Sequence, residues 1–323
     1  MIHLSIHFRS NEVAMPHPRT RVILLLLMAL SGTISSLQAA TTTTAINLQP
    51  AAPPPPPGSD ELLGQIPKGQ PAGRYDIAVL IANQHYRDGV PSVAYAHRDL
   101  AAMRAYLTTT MGYAAENILI EKDATLGVFK TLFDSNGKLK RFIRPGESRV
   151  FIYYVGHGAP HPEQGDGYFV PSDADPDFID KSGYSLQQFY ANLRQMPAKE
   201  MIVVLDTCFS GTTASGLLVK NVSPGMLNIR ETASTLQQGV VLTSATGNQL
   251  SSWYPEKQHS LYTYYFLKGL QGEADQNHDR TITAGEMQSY LATEVSYWAG
   301  RLSGRSQQPK QEGNRNTVLA RLK

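Results

Sequence analysis

Four runs of apolar residues along the middle of the chain constrain its fold most strongly. The runs are nearly continuous rather than alternating, which is typical of strands covered on both faces of a sheet. Between them, apolar residues recur every three or four positions, as in amphipathic helices. This alternation predicts an α/β sandwich of three layers, with a mainly parallel sheet flanked by helices. The predicted strands are 75–82, 149–155, 201–205 and 239–244, and the predicted helices are 96–111, 186–196, 262–270 and 284–298.

The composition is that of a folded globular protein whose body has no charge surplus. Of the 323 residues, 41% are hydrophobic, whereas a disordered chain has far fewer apolar residues. The formal net charge of +2 comes from the first forty residues, which hold three arginines and one glutamate. Binding to phosphates needs a basic surface, so we expect no nucleic-acid partner. Cys208 is the only cysteine, which excludes a disulfide scaffold and a cysteine-rich metal site.

The beginning of the chain has the three parts of a secretory signal peptide. Arg19 and Arg21 precede the apolar run 22–30, and small residues follow as far as Ala40. The apolar run is too short to span a bilayer, which takes about twenty residues. We therefore expect export to the periplasm or the medium, and no stable membrane insertion after the signal is removed. An uncleaved anchor is the alternative, and Met15 is an alternative start.

The composition changes after this signal and predicts how the chain is divided. Four threonines and five consecutive prolines follow it, and such a stretch forms an extended tether rather than a core. No internal repeat is present. The predicted division is a signal peptide (1–40), a Thr/Pro-rich disordered linker (41–73), a folded domain (74–300) and a C-terminal tail (301–323).

Two of the predicted strands end in residues that can carry chemistry. Strand 149–155 runs into Gly-His157-Gly, and strand 201–205 runs into Asp-Thr-Cys208. If the strands are neighbours, the imidazole and the thiol meet at the edge of the sheet where ligands bind. A thiolate is a nucleophile, and a histidine can hold its proton and return it to the leaving amine. The N–H groups of Gly158 and Cys208 would then form an oxyanion hole. A buried structural cysteine is the alternative.

These two motifs resemble the catalytic motifs of caspase-like cysteine peptidases, the group that contains caspases and metacaspases. The matching residues are Tyr-Val-Gly-His-Gly (154–158) and Asp-Thr-Cys-Phe-Ser-Gly (206–211), and the histidine precedes the cysteine by 51 residues, close to the spacing of about fifty in caspases. The resemblance covers roughly 75–290. It implies a caspase-like fold and hydrolysis of peptide or protein substrates by a Cys–His dyad, with no required third residue or cofactor.

Departures from the caspase pattern concern the substrate. Caspases cut after aspartate and carry arginine where Val93 stands here, and glutamine where Asp206 stands. Asp206 and Asp99 match the acidic residues of metacaspases, which cut after arginine or lysine, although Val155 replaces a metacaspase serine. A carboxylate pair attracts a cationic side chain and repels aspartate, so the resemblance predicts cleavage after Arg or Lys. The alternatives are a turn residue for Asp206 and helix N-terminal charge for Asp99.

The segment 212–238 is expected to be a processing loop, because caspase-like enzymes are often cut in this linker. An enzyme that cuts after basic residues would cut itself after Lys220 or Arg230.

Two other functions stay open for the chain. One is a catalytically silent domain that keeps the fold for interaction or signalling, and the other is a peptidase of this fold with a different P1 preference. The oligomeric state is not predicted.

A second motif, at 275–286, has the spacing of an EF-hand calcium loop. Its oxygen-bearing residues fall at positions 1, 3, 5, 9 and 12, with a backbone carbonyl at position 7. Arg280 occupies position 6, where such loops have glycine. The alternative is a capping box that begins the helix 284–298. Calcium is thus the one candidate metal, and its predicted ligands are Asp275, Asn277, Asp279, Thr281, Thr283 and Glu286.

Overall fold

The computed structural model describes residues 60–87, 89–161, 166–209, 212–213, 216–217, 236, 238–246 and 249–323. The strands are β1 (Ile77–Ala82), β2 (Ile118–Lys122), β3 (Arg149–Val155), β4 (Gly158–Pro160), β5 (Gly167–Phe169), β6 (Tyr184–Ser185), β7 (Glu200–Asp206), β8 (Thr212–Thr213), β9 (Gly216–Leu217), β10 (Gly239–Thr243), β11 (Trp253–Tyr254), β12 (His259–Ser260), β13 (Thr281–Thr283), β14 (Lys310–Gly313) and β15 (Val318–Arg321). The helices are α1 (Glu61–Gly64), α2 (Ala96–Thr109), α3 (Leu126–Phe133), α4 (Lys138–Phe142), α5 (Ile179–Ser182), α6 (Leu186–Arg194), α7 (Leu261–Lys268) and α8 (Ala284–Ser303).

A mainly parallel sheet runs through the centre of the domain. Within the part of the chain that the structure describes, this sheet has six strands in the order β14-β10-β7-β3-β1-β2. Neighbouring strands are parallel except at one edge, where β14 pairs with β10 in the antiparallel direction. The prediction of an α/β fold with a mainly parallel sheet is confirmed.

Helices cover both faces of the sheet, which produces the three predicted layers. Successive strand residues point to opposite faces, and along β1 the side chains of Ala78 and Leu80 join one apolar cluster while those of Val79 and Ile81 join another. The first cluster also contains residues of α2, α7 and α8, and the second contains residues of α3, α4 and α6. Because both faces are covered, apolar residues occupy every position of β1 and every position of β3 and β7 except at their ends.

The predicted elements agree with the observed ones apart from their ends. β3 matches the predicted strand, and β7 gains one residue at each end. The helix predicted to end at residue 298 continues as α8 to Ser303. The sequence-based prediction did not include β2 and α3. β2 ends in Glu121 and Lys122 and only its first residue is buried, so it lacks the apolar run that marks the other strands.

The predicted C-terminal tail, 301–323, is part of the fold, which corrects the sequence-based boundary. β14 completes one edge of the main sheet, and β15 pairs with β13. β14 reads Lys-Gln-Glu-Gly, so it has no apolar run that would predict a strand. Edge strands often carry such charged residues, because their outer side meets solvent and must not pair with other chains.

The predicted disordered linker, 41–73, is folded where the structure describes it. The carboxylate of Asp60 caps α1 by accepting a hydrogen bond from the N–H of Leu62 at 3.1 Å. The Leu62 side chain is fully buried, and its carbonyl oxygen accepts from the hydroxyl of Tyr106 at 2.7 Å. The folded domain therefore includes Asp60 and the residues after it. The earlier part of the linker lies outside the described residues.

Candidate active site

The register between β3 and β7 brings His157 and Cys208 to the same edge of the sheet. Val155 lies opposite Asp206 in the parallel ladder, so His157 and Cys208 each stand two residues beyond this pair. The N–H of Gly156 donates to the carbonyl oxygen of Asp206 at 3.3 Å, which keeps the two segments together beyond the end of the ladder. His157 and Cys208 both line one open cavity of about 550 Å³.

The imidazole of His157 is buried and oriented by a backbone carbonyl. Only 6% of the residue is exposed, and its Nε2 lies 2.7 Å from the carbonyl oxygen of Pro91. A carbonyl oxygen can only accept, so Nε2 carries the proton and Nδ1 is left to act as a base. Burial lowers the pKa of His157 to about 4, against the opposing effect of the Pro91 hydrogen bond. The imidazole is therefore neutral at neutral pH.

Two tyrosines hold the backbone of His157. The hydroxyl of Tyr86 accepts from the N–H of His157 at 2.8 Å, and the two rings pack with their centroids 4.9 Å apart. The hydroxyl of Tyr154 donates to the carbonyl oxygen of His157 at 2.7 Å. Burial raises the pKa of both phenols well above the usual value of tyrosine, so both keep their protons. The main chain on either side of the imidazole is thus fixed by buried neutral groups.

The loops that carry His157 and Cys208 touch each other at Gly158. A Cβ atom at Gly158 would lie 2.5 Å from the Phe209 ring and 2.8 Å from the carbonyl oxygen of Cys208. Both distances are shorter than real Cβ atoms tolerate, so only glycine fits at this position without displacing a neighbour. The contact fixes how closely the backbone of one loop approaches the other.

The small sheet formed by β4, β5 and β6 leaves the N–H of Gly158 out of its ladder. Gly158 lies opposite Phe169, and the N–H of Val170 donates to the carbonyl oxygen of His157 at 3.1 Å. In an antiparallel ladder this pattern means that Gly158 and Phe169 exchange no hydrogen bonds with each other. The N–H group of Gly158 therefore donates no hydrogen bond to β5.

Asp206 lies in the wall of the cavity and is held by two hydroxyl groups. The residue is 4% exposed. Its Oδ2 accepts a hydrogen bond from Thr263 Oγ1 at 2.6 Å and a further, very short one from Ser260 Oγ. Burial raises the pKa of Asp206, and the hydroxyl donors oppose that effect. A carboxylate in such a wall gains stability when a cation enters the cavity.

Asp99 does not line the cavity, which corrects the expected direct contact with substrate. Asp99 lies in the first turn of α2 with no exposed surface. Its carboxylate is 2.5 Å from Nδ1 of His259 and accepts from the N–H of Ser260 at 3.1 Å. Its hydrogen-bond connection to Asp206 runs through Ser260, whose hydroxyl donates to Asp206. The position of α2 behind β12 decides which groups the Asp99 carboxylate contacts. The sequence does not show this position.

The Asp99–His259 pair holds a proton inside the domain. Burial raises the pKa of Asp99 to about 7, against the lowering effect of the His259 hydrogen bond. Burial alone would lower the pKa of His259, but the carboxylates of Asp99 and Asp60 outweigh it and raise that pKa. Asp60 also forms an ion pair with Arg98 at 3.0 Å. The negative charge of Asp99 is therefore matched by groups beside it.

Sequence reasoning missed several residues of the site. The carbonyl of Pro91 orients His157, and Ser260 connects the two acidic residues, yet neither position carries a motif. The exposed residues Glu256 and Arg305 also line the cavity, so both signs of charge are present there. All four residues belong to loops or element ends that only the tertiary fold brings to the strand edge. Lys220 and Arg230, the predicted self-cleavage positions, lie outside the described residues.

The loop 275–286 combines internal hydrogen bonds with a capping box. The carboxylate of Asp275 accepts from the N–H groups of Asp279 (3.2 Å) and Arg280 (2.9 Å). Thr283 and Glu286 form the capping box of α8, so this alternative is present. Arg280 takes a left-handed backbone with φ of 63°, the turn for which glycine is usual.

The remaining predicted calcium ligands of this loop also bond within it. Asn277 Oδ1 accepts from the N–H of Asp279 at 2.9 Å, and Asp279 Oδ1 accepts from the N–H of Thr281 at 2.7 Å. Over the described ranges, no three carboxylates of the loop bring their oxygens within 4.8 Å of one another. Calcium binding stays a prediction.

Comparison with known proteins agrees with this architecture. The profile of the caspase domain family, Peptidase_C14, matches residues 76–319. Among solved structures, caspase-1 from Spodoptera frugiperda is similar in fold, with a TM-score of 0.53 and 11% sequence identity over 80% of this chain and 94% of that chain. No curated protein sequence matches the chain. The chain therefore belongs to the caspase domain family of cysteine peptidases.

Proposed function

We propose that this protein is an active cysteine endopeptidase, with Cys208 as the nucleophile and His157 as the acid and base. The observation that carries the proposal is the β3–β7 register, which puts both residues in one cavity. The hydrogen bond from Nε2 of His157 to Pro91 supports it further, since it leaves Nδ1 as a base. A silent domain that used the fold only for binding would have no need of this oriented, neutral imidazole.

The reaction follows from these groups. Nδ1 of His157 takes the thiol proton, and the sulfur of Cys208 attacks the carbonyl carbon of the scissile bond. The oxyanion accepts hydrogen bonds from the N–H groups of Gly158 and Cys208, a type of contact worth several kcal/mol in the transition state. The imidazolium then protonates the leaving amine. Water, deprotonated by His157, hydrolyses the thioester and releases the new carboxylate and the thiol.

We propose further that the enzyme cuts after Arg or Lys. Asp206 is the acidic group in the cavity wall, and a guanidinium or ammonium entering the cavity pairs with it, whereas aspartate is repelled. Asp99 acts as a positioning residue, because it holds the backbone of Ser260 and Ser260 bonds Asp206. A different P1 preference is the competing proposal, and the presence of Arg305 in the lining of the cavity is the observation that favours it.

The first experiment uses matched fluorogenic peptides that end in Arg, Lys or Asp, with and without calcium. The parent protein, Cys208→Ala and Asp206→Asn are compared. We expect cleavage of the Arg and Lys peptides that is lost at least a thousandfold in Cys208→Ala and about ten- to a hundredfold in Asp206→Asn. Cleavage of Asp peptides alone would overturn the role of Asp206 and leave the dyad in place. Absence of cleavage in every arm, also after limited proteolysis within 212–238, would favour the silent domain.

Self-processing and export belong to the same proposal. We propose cleavage after Lys220 or Arg230. Denaturing gel electrophoresis tests this, and a fragment pattern that is identical in the parent and in Cys208→Ala would contradict it.

We also propose export through the N-terminal segment. Among the described residues, no helix is long and apolar enough to cross a membrane. Cell fractionation of the chain with and without residues 1–40 tests export, and equal distribution of the two forms would rule it out.

A further inference from the structure

Two imidazoles and a carboxylate meet at the carboxyl ends of β1 and β2, outside the catalytic cavity. His85 follows β1, Asp123 follows β2, and His97 lies in the first turn of α2. Asp123 Oδ2 is 3.1 Å from His85 Nδ1, and Asp123 Oδ1 is 2.9 Å from His97 Nε2. Within the described part of the chain, these three are the one group of His, Cys, Asp and Glu whose ligand atoms all lie within 4.8 Å.

The donor set is one that divalent transition metals prefer. Two imidazole nitrogens and one carboxylate oxygen are typical ligands of zinc, with a further position open to water. Ligand atoms that bind a tetrahedral ion at about 2.0–2.1 Å lie about 3.3 Å from each other, close to the two Asp123 distances. Calcium and magnesium prefer all-oxygen sites, so the imidazoles select against them.

Hydrogen bonds around the cluster already hold the Asp123 carboxylate and the main chain that carries His97. The carboxylate of Asp123 accepts from the N–H groups of Gln84 (2.8 Å) and His85 (3.0 Å). The side-chain oxygen of Gln84 accepts from the N–H of His97 at 3.2 Å. Such supporting bonds orient metal ligands and reduce the cost of assembling them. The His85 side chain is 61% exposed, so an ion can enter from solvent.

The cluster also joins the two ends of the loop that positions the catalytic histidine. Tyr86, which accepts from the His157 N–H, and Pro91, which accepts from its imidazole, both lie between His85 and His97 in the chain. An ion bound to His85 and His97 therefore closes this loop at its base. None of the three residues lines the cavity that holds His157 and Cys208, so the cluster is separate from the proposed catalytic groups.

We propose that His85, His97 and Asp123 form a binding site for one divalent transition-metal ion, with zinc as the preferred ion, and that the ion clamps the loop 83–97. The clamp restrains the segment that holds His157 without supplying any group to the reaction. In the absence of an ion, the same three residues are a hydrogen-bonded cluster, which is the competing interpretation.

The test measures zinc binding to the full chain in a Cys208→Ala background. This background removes self-cleavage and the thiol that would bind zinc beside His157, so the result does not depend on peptidase activity. Titration calorimetry with zinc chloride is expected to give one site that is weakened at least tenfold in His85→Ala and in His97→Ala. Cobalt(II) should give the visible absorption of a four-coordinate site, and calcium should not compete.

The matched control is His278→Asn, which removes an imidazole from the loop 275–286. Asparagine tolerates the left-handed backbone at that position, where φ is 58°. This variant should bind zinc as the background protein does. Unchanged affinity and stoichiometry in His85→Ala would overturn the proposal even if His97→Ala failed to fold. Zinc should also slow hydrogen exchange of the amides in 83–97 in the background protein but not in His85→Ala, and equal exchange in both would refute the clamp.

Discussion

At the scale of single residues, burial decides the chemistry of His157. A solvent-exposed histidine is half protonated near pH 6.5. The protonated half cannot act as a base. Here the packed loops and Tyr86 enclose the imidazole, and its pKa falls to about 4. The carbonyl of Pro91 then decides which nitrogen keeps the proton.

The lowered pKa predicts how stability depends on pH. Between pH 6.5 and about 4, the unfolded chain binds a proton at His157 and the folded protein does not, so the free energy of unfolding falls as the pH falls through this window. Below pH 4 the contribution is constant. In a Cys208→Ala background, replacing His157 with Gln should reduce this loss, by up to about 3 kcal/mol. Urea unfolding at a series of pH values measures the free energy of unfolding of both proteins. An equal dependence of this free energy on pH in the two proteins would contradict the burial argument.

Gly158 is the second residue-scale constraint, because its hydrogen atom faces the Phe209 ring. Gly158→Ala places a methyl group 2.5 Å from that ring, so the two catalytic loops must separate. We expect kcat/KM on Arg peptides to fall at least tenfold, with little change in secondary structure by circular dichroism.

Gly300→Ala is the matched control for this variant. Gly300 lies within α8 and a Cβ atom there meets nothing within 4 Å. This change should leave activity unaltered and stabilise the helix by up to about 1 kcal/mol. Full activity in Gly158→Ala would show that the loop contact is unimportant.

At the scale of elements, the N-terminus of α8 depends on its capping box. Thr283 Oγ1 accepts from the N–H of Glu286 at 3.2 Å, and Glu286 accepts from the N–H of Thr283 at 3.0 Å. Thr283→Ala should lower the free energy of unfolding by about 1 kcal/mol, measured with a chelator present so that calcium plays no part. The mid-helix change Thr293→Ala is the control, and it should be neutral or slightly stabilising. Equal stability of Thr283→Ala and the parent would exclude the capping role.

The β1–α2 connection shows how one loop serves several groups. It contributes Tyr86 and Pro91 to His157 and the imidazole of His85 to the cluster with His97 and Asp123. Its backbone takes a left-handed conformation at Tyr95, just before α2 begins. Such a loop is positioned by the elements on both sides, and its sequence alone carries no signal for its partners.

At the scale of the whole molecule, the last twenty residues complete the fold. β14 covers the edge of β10, and β15 pairs with β13. Deleting 304–323 should expose the edge of a buried parallel sheet and abolish cooperative thermal unfolding. Deleting 1–40, none of which is among the described residues, should leave the melting temperature unchanged. Scanning calorimetry on both truncated chains measures this, and a cooperative transition in the first would mean that the C-terminal strands are dispensable.

The sequence alone determined the fold class, and it singled out the pair that we propose to be catalytic. Apolar runs reveal strands covered on both faces, and the Gly-His157-Gly and Asp-Thr-Cys208 motifs stand directly at two strand ends. These signals are local, because a strand must be apolar along its own length and a sharp turn needs glycine where it occurs. The same reasoning was successful for the capping box of α8, whose two residues are three positions apart.

Only the tertiary structure decided which groups surround that pair. Pro91 reaches the site from a loop and Ser260 from β12, both distant from β3 and β7 in the chain. Asp99 bonds His259 and does not line the cavity, and β14 joins the sheet without an apolar run. Each outcome depends on distances between segments far apart in the sequence. A side chain's partner, its burial and therefore its pKa arise from packing between elements, and no single segment encodes them.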